Sequence, residues 1–268
     1  MTSSRPGPAK GLGLVLGAWC LAVALAGCSG SSPAGAPRPA TVHSAGSGRS
    51  ATLAPIPAIT VTGDRPVLPT GSQDTHAQAS GESCDSATFT TDRTVGVRVA
   101  AGFSAAGFPV SADLLTHFLG GAGTGVGYRA GSAISKQAQA SAAFRAVNNQ
   151  VQTEVRSQLK AGRTRVRLTA AQLPTVAFES GGSDLFWGFR GTQGLTVTGS
   201  IRKEGARYAG NLSYVIRDSY GFPAGDTLAG FGPPMRYLQT VCGAPQHAGG
   251  AHWFPDTITV TTPFSHPA

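Results

Sequence analysis

Apolar residues crowd the start of the chain: Leu12, Leu14, Val15, Leu16, Trp19, Leu21 and Val23 lie within residues 11–24, after Arg5 and Lys10 and with no acidic residue. A basic start followed by a short apolar run is the pattern of a secretory signal, too short to cross about 30 Å of hydrocarbon as a permanent helix. Residues 29–82 are then dominated by Ser, Ala, Gly, Pro and Thr, with no aromatic residue and no helical period. Such a segment buries too little apolar surface to offset its ordering entropy and reads as a flexible tether. Within it, residues 56–67 form an apolar patch that resembles one strand, weakened by Pro55, Pro57 and Pro66.

Regular patterns begin after Cys84. Val95, Val97 and Val99 alternate and predict a first strand; residues 111–119 predict a short helix stopped at Gly120-Gly121. Phe144, Val147, Val151 and Val155 recur at spacings of three and four, which predicts one long amphipathic helix over residues 135–159 ending at Gly162. Arg163, Arg165 and Arg167 alternate with Thr164, Val166 and Leu168, a half-buried strand with arginines on its wet face. The period of two recurs in Leu195-Val197-Gly199-Ile201 and Tyr208-Gly210-Leu212-Tyr214-Ile216, joined by Lys203-Glu204-Gly205-Ala206, a hairpin. A short helix over residues 235–241 and a last strand at Ile258 and Val260 complete the pattern. The expected fold is α+β: an antiparallel sheet with one long helix packed on it, preceded by a disordered tether. The expected domains are a signal over residues 1–27, a tether over 28–83 and a globular domain over 84–268.

Composition changes this picture in two ways. The chain carries 21 basic and 13 acidic side chains, and losing residues 1–28 removes two bases and no acids, leaving about +6. Scattered positive charge on an exported protein favours anionic lipid head groups, acidic wall polymers or a protein partner, while no nucleic-acid motif appears. Arginine outnumbers lysine 17 to 4, a bias of GC-rich genomes. Of four cysteines, Cys20 lies in the signal and Cys28 ends Leu25-Ala26-Gly27-Cys28, which looks like a lipobox. Lipid on Cys28 would anchor the chain to the extracytoplasmic face of the cell membrane. Cys84 and Cys242 are then the remaining thiols, and in an oxidising compartment they pair. The alternative is a zinc site with His247 and His252.

Familiar active-site motifs are missing, and no cofactor is implied. The candidate chemistry is Asp218-Ser-Tyr-Gly-Phe222, expected in a loop after the second hairpin strand. There Asp218 can act as base or ligand, Tyr220 as acid or donor, and Arg217 or Arg236 as an anion clamp. The plainer alternative is a turn in which Asp218 bonds nearby amides while Tyr220 and Phe222 pack below. A second cluster runs from His247 to Asp256, with glycines between, and reads as a surface loop; His117 reads as a satisfied core histidine. Leu115-Thr-His-Phe-Leu-Gly-Gly-Ala-Gly-Thr124, Gly191-Thr-Gln-Gly-Leu-Thr-Val-Thr-Gly199 and Asp218-Ser-Tyr-Gly-Phe222 resemble C-terminal domains of secreted bacterial toxins, faintly those of colicin M type. That resemblance implies cleavage of a lipid-linked wall precursor at a phosphate ester, with Asp218 and Tyr220 matching an Asp-x-Tyr-Asp stretch. Gly221 replaces its second Asp, and the His-Arg pair that follows in that type is missing. The chain also resembles uncharacterised lipoproteins of high-GC Gram-positive bacteria, which implies location alone. The expected function is a non-catalytic envelope binding module, with a hydrolase around Asp218 as the alternative.

Overall fold

The structure, a computed structural model, describes residues 57–66, 83–178, 182–190, 192–222, 230–243 and 250–268. Its centre is a hairpin of β5 (Thr192–Glu204) and β6 (Arg207–Tyr220), closed by a two-residue turn with Gly205 at φ 61°. Positive φ at the first turn position is a conformation glycine adopts without a Cβ penalty. β7 (Phe254–Pro267) pairs with β6 along its whole length, and the sheet continues to both sides in the order β2-β7-β6-β5-β1-β3. Here β1 is Ile59–Arg65, β2 Val126–Tyr128 and β3 Arg165–Leu168, while β4 (Val176–Ala177) pairs with the start of β5.

The sheet is mixed rather than antiparallel throughout, because β1 pairs parallel with β3 and β2 parallel with β7. Parallel partners need long crossovers. The helical segments between β1 and β3 supply one, which the hairpin pattern did not announce.

β1 is a second correction. Residues 59–65 fall in the segment expected to be tether, yet they form a strand between β5 and β3. Pro57 and Pro66 lie just outside it, where a missing N–H costs no ladder bond.

The helices are α1 (Ser86–Ala105), α2 (Pro109–Gly120), α3 (Ala133–Ala140), α4 (Ala142–Lys160), α5 (Asp184–Gly188) and α6 (Gly232–Thr240). The single long helix expected over 135–159 is two. Ser141 is extended (φ −69°, ψ 149°), ends α3, and accepts the Phe144 N–H through its Oγ as N-cap of α4. A serine bonding its own downstream amide competes with helix continuation, and the break re-aims the apolar stripe. Phe144, Val147, Val151, Val155 and Leu159 of α4 are all buried. Phe144 meets the Tyr214 ring edge-on at 5.1 Å, and Asn148 Oδ1 accepts from the Tyr214 hydroxyl (2.8 Å) and Thr262 Oγ1 (3.0 Å).

The valine alternation at 95–99 is not a strand. It lies in α1, where Gly96 and Ala100 are buried and Val97 is 55% exposed. Asp85 caps this helix by accepting from the Thr88 N–H at 2.7 Å. A Cβ at Gly96 would stand 2.9 Å from both Leu119 methyls, so glycine permits the close approach of α1 to α2. Tertiary packing overrides the local β preference of valine.

One face of the sheet is apolar and carries Val61, Val166, Val197, Tyr214, Ile216, Ile258 and Val260 in the core with the helices. On the other face Thr60, Thr62, Arg165, Arg167, Thr198, Ser200, Asn211 and Thr261 are exposed.

Candidate functional site

Asp218 is not in a loop. It lies inside β6, which runs to Tyr220, and stands directly opposite Asp256 of β7. Asp256 likewise belongs to a strand rather than a glycine-rich surface loop. The two carboxyls share the face occupied by Ile216, Tyr220, Phe254 and Ile258, since side chains alternate along a strand. Asp218 is half-buried, whereas Asp256 has 0% exposure. Neither Asp256 oxygen has a hydrogen-bond partner. Burial pushes the Asp256 carboxyl well above the usual carboxylate range, and the charge of Asp218 pushes it the same way.

Tyr128 of β2 reports the same environment: burial, then the charges of Asp256, Asp113 and Asp184, push its hydroxyl up to about 12. Asp184, also buried, accepts from the Ser111 N–H (2.7 Å) and Ser111 Oγ (2.8 Å). It serves as an N-terminal cap that α2 lacks from its own sequence.

The other expected site residues separate. Tyr220 is 7% exposed, stacked on Phe254 at 5.3 Å and edge-on to Phe118 and Phe222. Its ring is therefore part of an aromatic cluster under the helices. Arg217 points to the other face of β6, paired with Asp64 at 2.6 Å and donating to the Arg65 carbonyl at 3.1 Å. That engagement removes it as a clamp for anything bound at Asp218. A hydrogen bond from Thr196, with the Arg217 guanidinium, holds the Asp64 carboxyl below its usual range. Arg236 is half-buried on α6, and no described contact joins its side chain to Asp218 or Tyr220. His117 Nε2 donates to the Thr124 carbonyl at 2.8 Å, and its ring lies edge-on to Phe254. His247 and Cys28 lie outside the described residues.

Cys84 and Cys242 are bonded to each other, so neither sulfur is a thiolate for zinc. Among the described residues no group of three or more His, Cys, Asp or Glu side chains is placed to hold a metal.

A second feature was only half legible in the sequence. Arg165 and Arg167, recognised as a wet strand face, line a cleft of about 760 Å³ with Thr60, Thr62, Lys203 and Tyr208. Register brings these together: Thr60 pairs with Arg165 and Thr62 with Arg167 across the parallel β1–β3 ladder. No acidic side chain lines the cleft. Thr60 and Thr62 were missed because their segment reads as tether, and Lys203 because it sits near a hairpin turn.

No protein-family model, curated protein or solved structure matches the chain. Its geometry alone therefore carries the chemistry. The β1–β3 cleft offers guanidinium forks, an ammonium and hydroxyls to an anionic ligand.

Proposed function

We propose that the chain is an exported lipoprotein, held on the extracytoplasmic face of the cell membrane by lipid on Cys28, whose sheet domain is a non-catalytic module binding an anionic envelope polymer. The observation that carries the binding reading is the cleft lined by Arg165, Arg167, Lys203, Thr60 and Thr62 and by no acid. Arginines two apart on a strand are about 7 Å apart, so neighbouring anionic groups of one polymer can be held together. The nearby acid, Asp64, is neutralised by Arg217.

Poly(glycerol phosphate) is a defined probe for this site. Binding by the full chain is expected to weaken at least about tenfold, roughly 1.4 kcal/mol, in the Arg165→Glu, Arg167→Glu double variant. It should also fade in about 1 M salt, where the screening length is about 3 Å. Equal affinity of variant and wild type would reject the cleft as the binding site. Turnover of a lipid-linked wall precursor that disappears in Asp218→Asn would replace the binding module with the hydrolase that the toxin-like resemblance implies.

The anchor is supported by the apolar run and Leu-Ala-Gly-Cys sequence, and no helix among the described residues is long and apolar enough to cross a membrane. Mass spectrometry of the mature N-terminus is expected to find a diacylglyceryl cysteine. Two acyl chains give lasting attachment, at about 0.8 kcal/mol per buried methylene. A Cys28→Ala chain retained on membranes as firmly as wild type would refute the anchor.

A further inference from the structure

The wet face of the sheet carries hydroxyls in register. Arg167 of β3 pairs with Thr62 of β1, Thr62 with Thr198 of β5, Thr198 with Ser213 of β6, and Ser213 with Thr261 of β7. Paired strands lie about 4.8 Å apart, so this rank crosses five strands over roughly 19 Å. The neighbouring rank runs through Arg165, Thr60, Ser200 and Asn211. Thr62, Thr198 and Thr261 are exposed and Ser213 is half-buried. Among the described residues, no hydrogen bond engages these four hydroxyls.

The rank is continuous with the β1–β3 cleft, because Arg167 and Thr62 belong to both. Charge is confined to the β3 end, and beyond Arg167 the rank is neutral. Two acids of this face, Asp64 and Glu204, lie off the rank. Asp64 is held by Thr196 and Arg217, and Glu204 stands opposite Arg207 at the hairpin end. A polymer charged at every unit would lay further anions over neutral hydroxyls. A polyol phosphate instead alternates charged diesters with uncharged, hydroxyl-bearing units. Serine and threonine hydroxyls both donate and accept, which suits such units.

Resting on the reading of the cleft as an anionic-polymer site, we propose that the occupant is a polyol phosphate chain laid across the strands. A diester is held by Arg165 and Arg167, and the polyol part lies along Thr198, Ser213 and Thr261.

The plainer account is that threonine sits here for its branched shape, which suits a strand. Valine shares that shape and lacks the hydroxyl, so substitution separates the two. The test compares affinities of the full chain for poly(glycerol phosphate) and for linear inorganic polyphosphate. The Thr198→Val, Ser213→Ala, Thr261→Val variant is expected to bind poly(glycerol phosphate) at least about tenfold more weakly, three modest hydrogen bonds being lost. Its affinity for polyphosphate and its melting temperature should match the wild type. A Thr198→Ser, Thr261→Ser variant keeps every hydroxyl and should bind as the wild type does. If the triple variant binds poly(glycerol phosphate) normally while Arg165→Glu, Arg167→Glu does not, the hydroxyl rank is refuted and the cleft stands. If neither variant weakens binding, both readings fall. Equal losses for the two polymers, or a weakened serine variant, would overturn the role of the hydroxyls. So would a wild-type dimer that the triple variant dissociates, since a second copy would then occupy this face.

Discussion

A chain that starts at Cys84 is expected not to fold cooperatively, whereas one that starts before residue 57 is. β1 lies between β5 and β3, with seven register pairs to β5, from Ile59 opposite Ile201 to Arg65 opposite Leu195. Without it, β5 presents an unpaired edge, and β3 loses the strand it pairs with. Val61, 1% exposed, leaves a hole opposite Gly199. Arg65 no longer donates to the Leu173 carbonyl at 2.7 Å, and Arg217 loses Asp64. One buried valine contributes about 1.5–3 kcal/mol, and each ladder bond a net of about 0.5–1.5 kcal/mol. The sum is on the order of 10 kcal/mol, comparable to the whole stability of a domain. Amide dispersion in NMR spectra and a thermal melt compare the two chains. A wild-type melting transition in the 84–268 chain would refute the central role of β1.

Replacing Cys84 and Cys242 together by alanine is expected to lower the unfolding free energy by about 2–5 kcal/mol. The bond closes a sequence separation of 158 residues, for which loop-closure entropy alone gives roughly 5 kcal/mol as an upper figure. It ties the residue before the α1 cap to the end of α6, where Asp85 N–H also donates to the Tyr237 hydroxyl at 2.9 Å. Cys242 has 0% exposure, so the variant also leaves a small void against the α6 end. For a domain of this size each kcal/mol moves the melting temperature by about 2–4 °C. Calorimetry should therefore show a fall of roughly 5–20 °C. A double variant that melts with the wild type would show that the bond constrains nothing the fold does not already hold.

Sequence patterns located much of the sheet. The alternation in β3, β5 and β6 is read directly, because each strand has one apolar and one wet face and the period of two survives in the residues. The apolar stripe of α4 is legible for the same reason at its own period. The candidate site was less so. The local sequence puts Asp218 in a loop, since nothing near it announces that β7 is long enough to pair as far as Tyr220. Asp256 carried a readable signal: it falls on the apolar parity of Phe254, Ile258 and Val260, and an acid in that register is buried with them.

What the sequence by itself determined, then, were the elements whose faces differ: the hairpin, the arginine strand, the amphipathic α4, and the two thiols left to pair. Tertiary structure decided the rest. It made a valine-rich segment helical, because Gly96 lets α1 lie against Leu119 of α2. It drew a proline-flanked stretch of the supposed tether into the sheet, because β5 and β3 leave room for one strand between them. It also set two acids side by side, because register along β6 and β7 spans nearly forty residues of intervening chain. Periodicity records which way a side chain faces; only long-range pairing determines what it meets there.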